Sequence, residues 1–134
     1  MSAATDLIRA GHALDEAEEA PDHLIRYASA HVAALRAAAA VLAVRARPTP
    51  GRRRAQRNAW VLLAEVAPEF AEWAAFFAAG ASKRAAAEAG LTRAVSERDA
   101  DDLLRDATTF VELVERSLGL PSRTVLSQSW VRAS

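Results

Sequence analysis

RYASAHVAALRAAAAVLAVRARP, residues 26–48, decides the fold class. It reads as alanine-rich helix. With Leu24 ahead of it, the stripe Leu24, Ala28, His31, Leu35, Ala38 and Leu42 advances in alternating steps of four and three, the period of a helix with one apolar face. Asp22, directly after Pro21, can cap this helix, which is expected to run to about Arg47. His31 falls on the stripe rather than opposite it. Alanine lets neighbouring helices approach closely but buries little area, at roughly 0.8 kcal/mol per methylene-sized group, so the heavy burial has to come from other segments.

Outward from this helix the remaining segments are helical too. Residues 5–20 carry Leu7, Gly11, Leu14 and Glu18 at helical spacing, with Thr5 as the expected N-cap and Pro21 as the stop. RPTPGRRR contains Pro48, Pro50 and Gly51 and reads as an arginine-rich loop. Trp60, Leu63, Val66, Phe70, Trp73 and Phe77 then share one face of a third helix, which Pro68 must kink or divide and Gly80 ends. Residues 82–89 form a short helix closed by Gly90 as a left-handed residue. Ser96 and Asp99 make a capping box for a last helix through Leu103, Ala107, Phe110, Val114 and Leu118 to Gly119. No period-two segment of useful length appears, so the expectation is an all-α antiparallel bundle of four main helices plus one short one over residues 1–120. Residues 121–134 read as a loosely docked or disordered tail, with Trp130 as the residue to pin it to the bundle.

Composition narrows the function classes. Seventeen basic and seventeen acidic residues cancel, which argues against a whole-protein electrostatic grip on nucleic acid. There is no cysteine, so a thiolate nucleophile, a disulfide framework and the usual cysteine zinc site are excluded, and a reducing cytoplasm fits. The first twenty residues are too acidic for a signal peptide, and no apolar stretch is expected to reach membrane-spanning length. No GxxxxGK[ST] or GxGxxG occurs, and no HxxxH or HExxH. Glu65, Glu69 and Glu72 share a face but lack the Glu-x-x-His of a di-iron bundle, so neither metal nor cofactor is expected.

Two groups of residues remain as candidate sites. Arg26 and His31 could cut RNA without metal: the imidazole takes a proton from the ribose 2′-hydroxyl and the guanidinium holds the phosphate. Five helical positions, however, set their side chains about 140 degrees apart, so they converge only if Arg26 bends round or a second subunit completes the site. The other reading of His31 is a core histidine bonded to Tyr27 one turn back. The second group is basic: Arg45, Arg47, Arg52, Arg53, Arg54 and Arg57 have the composition of a phosphate-contacting strip, without interleaved aromatics for base stacking. Trp60, Phe70, Trp73 and Phe77 are the candidate core, or a dimer face if one bundle cannot cover them.

RYASAHVAALRAAAAVLAVRARP, VAPEFAEWAAFFAAGASKRAAAEAG and DADDLLRDATTFVELVE together resemble the actinobacterial group of HEPN-domain proteins, from Thr5 to Leu118. The resemblance implies a compact helical bundle, frequent homodimers and, in many members, metal-independent RNA cleavage by an arginine and a histidine with four to six residues between them. By position that motif falls on Arg26 and His31. Tyr27 stands where nuclease members favour a small polar residue, and the pair opens the second helix rather than lying late in the domain. Some members lack the motif and act as partners or nucleotide-associated subunits. Two functions therefore stay open: cleavage or binding of RNA, and a non-catalytic module acting as a homodimer or with a partner protein.

Overall fold

The computed structural model describes residues 2–46 and 58–122. Among these described residues six α-helices follow one another: α1 (Ala3–Glu19), α2 (His23–Arg45), α3 (Ala59–Val66), α4 (Ala71–Ala79), α5 (Ala81–Glu88) and α6 (Glu97–Leu118), with a 3₁₀ turn, Pro68–Phe70, between α3 and α4. There is no strand among the described residues.

Short-range chemistry sets most boundaries. Asp22 accepts the amide of Leu24 at 2.7 Å and starts α2. Ser96 and Asp99 exchange side-chain bonds with each other's amides at 2.9 and 3.0 Å to open α6. Gly90 and Gly119 have φ of 79° and 68°, the left-handed conformation that ends a helix at little cost only in glycine. Pro68 divides the aromatic helix: α3 stops at Val66 and the proline takes the first position of the 3₁₀ turn, where its missing amide would be unpaired anyway. The cap of α1 is Ser2 rather than Thr5. The Ser2 hydroxyl accepts the Thr5 amide at 3.1 Å, so the helix begins earlier than its apolar spacing indicates.

α2 is the centre of the body, packed most extensively on α1 and α6. Ala30, Ala33, Ala34, Ala37, Ala38, Ala40 and Val41 are all fully buried, so the helix is enclosed over most of its circumference. The expected single stripe is thus too narrow: of its members, Ala28, Leu35 and Leu42 are only half-buried. The same enclosure corrects the expectation about membrane-spanning length. α2, 23 residues with a window of mean hydropathy 1.5, is long and apolar enough to cross a membrane, but half of that window is buried against its neighbours. Arg26 near the start of α2 bonds Asp101 near the start of α6, and Arg45 at the end of α2 bonds Ser117 near the end of α6, so these two helices run in the same direction, as the second and fourth main helices of an alternating up-and-down bundle do.

The core is filled by aromatics from α3, the 3₁₀ turn, α4 and α6. Phe77 and Phe110 are fully buried, with ring centroids 5.2 Å apart, and Trp60 stacks on Phe77 at 5.2 Å. Gly80, between α4 and α5, is where this core presses on the backbone. A Cβ there would lie 3.0 Å from the Tyr27 Oη and 3.7 Å from the His31 ring. Gly80→Ala is therefore expected to destabilise by about 1 kcal/mol, and by less in a Tyr27→Phe background, a coupling that a double-mutant cycle of urea unfolding measures.

Candidate functional site

His31 projects from α2 toward the end of α4. Its Nε2 lies 2.9 Å from the carbonyl of Phe77, 46 residues away. A carbonyl only accepts, so Nε2 carries the proton and Nδ1 holds the lone pair. The Phe77 carbonyl also accepts the Gly80 amide at 3.0 Å. It belongs to the last turn of α4, where carbonyls have no partner within the helix, and His31 supplies a second donor. Trp60 and Phe77 present their rings to the imidazole at 6.1 and 6.2 Å, near perpendicular. The residue is 2% exposed, and Nδ1 is buried with no hydrogen-bond partner among the described residues. Tyr27, expected to bond His31, does not take that role.

Arg26 is engaged elsewhere. Its guanidinium donates to Asp101 at 2.7 Å and to the carbonyl of Ala20 at 3.2 Å, tying the corner between α1 and α2 to α6. One member of the pair thus points to α6 and the other to α4, as the wide angle between them on the helix requires. Of the arginine strip, Arg45 pairs with Glu69 and donates to Ser117 at 3.3 Å. Arg47, Arg52, Arg53, Arg54 and Arg57 lie outside the described residues, as does Trp130 with the tail from residue 123. Glu69, bonded by its own backbone amide and by Arg45, is held below the usual carboxylate range. Among the described residues no group of three or more His, Asp or Glu is arranged to hold a metal ion.

The model of the SAV_6107-like HEPN family matches residues 17–115, from the end of α1 to near the end of α6. The chain belongs to this HEPN family. No curated protein and no solved structure matches it.

In this HEPN chain the four candidate aromatics divide by depth: Trp60, Phe70 and Phe77 are buried in the chain's own core and Trp73 is half-buried. Among the described residues the exposed aromatic is Phe76, at 46%. Sequence reasoning passed over it, although adjacent positions on a helix stand about 100 degrees apart, so Phe76 and Phe77 could not both face the core. With Trp73, Glu72 and Asp106 it lines a groove of about 320 Å³ between α4 and α6.

Burial pushes the His31 imidazole below its ordinary value of 6.5. The bond to the Phe77 carbonyl opposes that shift, the charge of Arg84 adds to it, and Glu88 opposes it. Above pH 6.5 the ring is neutral both folded and unfolded. Below it the unfolded chain takes up a proton that the folded one resists, so His31 makes stability fall as the pH drops from 6.5 toward the lowered folded value. Urea unfolding at pH 7.5 and 5.5 is expected to show a smaller loss in His31→Gln than in the wild type, because glutamine does not titrate.

Proposed function

We propose that this HEPN chain is a non-catalytic helical module of the cytoplasm that acts as a homodimer or with a partner protein. The observation that supports this reading is the enclosure of His31. A general base must come within about 2.6–3.2 Å of the hydroxyl it deprotonates. His31 is 2% exposed, and its protonated nitrogen is bound to the Phe77 carbonyl. Arg26, the phosphate ligand of the nuclease reading, is held by Asp101 and Ala20. Both residues of the motif are engaged in holding helices together, which is a use the same residue types serve without any substrate.

The test is incubation of purified protein with a broad RNA pool in EDTA, beside Arg26→Ala and His31→Gln variants whose folding is verified by circular dichroism. No cleavage above a buffer control is expected from any of the three. Cleavage by the wild type that yields 2′,3′-cyclic phosphate ends and disappears in both folded variants would overturn the proposal.

A further inference from the structure

The zero net charge conceals a division. All seventeen acids lie in the described helices and turns, which hold only ten of the seventeen bases, leaving this body with a net charge of −7. The other seven bases are Arg47, Arg52, Arg53, Arg54 and Arg57 in the segment 47–57, and Arg123 and Arg132 beyond residue 122; neither stretch contains an acid. A segment with five positive charges is thus tethered to a body that lacks that much charge.

The groove between α4 and α6 has the chemistry to take such a segment. Trp73 and Phe76 form its aromatic wall, and Glu72 and Asp106 its carboxylates. Glu72 has no ion-pair partner among the described residues. A second depression of about 250 Å³ shares Phe76 and Asp106 and adds Asp99 and Asp102; Lys83 pairs there with Asp99 at 3.5 Å, and Arg105 with Asp102 at 3.3 Å and more loosely with Asp106 at 3.8 Å. An aromatic face flanked by carboxylate suits a guanidinium, which stacks on the ring and donates two parallel hydrogen bonds to the acid. Phosphate would be repelled there, and a purely apolar helix would strand the carboxylates.

Chain geometry singles out the occupant. The segment leaves the body directly after α2, where Arg45 is already paired with Glu69, and Glu69 stands one turn before Glu72. Arg52, Arg53 and Arg54 follow Ala46 by six to eight residues, a reach of at most about 20–29 Å, against about 5 Å for one helical turn. We propose that the α4–α6 groove is the docking site of the chain's own segment 47–57, with an arginine side chain held between the Trp73–Phe76 wall and the Glu72 and Asp106 carboxylates. This proposal is independent of whether His31 is catalytic.

Limited trypsin digestion of the full chain tests it, because a docked arginine is withheld from the protease. The initial rate of cleavage after Arg52, Arg53 and Arg54 is read by mass spectrometry, with cleavage after Arg123 as the internal reference. Glu72→Gln with Asp106→Asn, and separately Phe76→Ala, are expected to raise the segment's rate relative to the reference about fivefold or more, with helicity unchanged by circular dichroism. The wild-type rate should not depend on protein concentration. Equal rates in wild type and folded variants would overturn the proposal, and protection that appears only at high concentration would assign the groove to a second copy instead.

Discussion

Phe77→Ala is expected to cost about 4 kcal/mol, lowering Tm by about 15 °C, the largest loss from any single truncation in the chain. Phe77 is fully buried and is the ring that the others share: Trp60 and Trp73 stack on it, and Phe76, Phe110 and His31 meet it at steeper angles. Truncating it removes a large apolar surface and leaves a cavity among rigid rings that cannot collapse into the space. The α2 side chain that borders it, His31, is held in place by its bond to the Phe77 carbonyl. Thermal unfolding followed by circular dichroism measures the shift. Conservative Phe77→Leu should recover more than half of it.

Replacing His31 by alanine comes second, with an expected loss of about 3 kcal/mol. The ring fills space between Trp60 and Phe77, and its Nε2 proton satisfies a carbonyl at the end of α4. The cost stays below that of Phe77 because the carbonyl keeps its bond from the Gly80 amide. Since both substitutions open the same cavity, the double variant should lose clearly less than the two single losses together, a non-additivity that urea unfolding of the four proteins in the cycle resolves. A catalytic histidine at a surface groove would show the reverse pattern, with activity lost and stability little changed.

The parts of the fold legible in the sequence are those written within a few residues. Asp22, the Ser96–Asp99 box, Gly90, Gly119 and the break at Pro68 depend on local backbone geometry, and each acts where its residue type indicates. The helical family resemblance agrees with the matched HEPN family. What the sequence does not carry is the tertiary partner. Nothing near His31 names Phe77, 46 residues away, as its acceptor, and nothing near Arg26 names Asp101. The breadth of the buried face on α2 escaped for a related reason. Alanine is compatible with both a buried and an exposed position, so a run of alanines marks no stripe until the neighbouring helices are in place. That α2 and α6 pack side by side is likewise set by the path of the three short helices and the 3₁₀ turn between them, which helical periodicity does not encode.

The state of the His31 ring is the most direct test of the account, and long-range ¹H–¹⁵N correlation spectra of the imidazole between pH 7.5 and 5.5 observe it. The structure predicts a neutral ring protonated at Nε2, with nitrogen shifts that do not follow the titration of an exposed histidine near 6.5. A His31 ring that titrates at its ordinary value, with both nitrogens exchanging with solvent, would contradict the enclosure on which the non-catalytic reading depends.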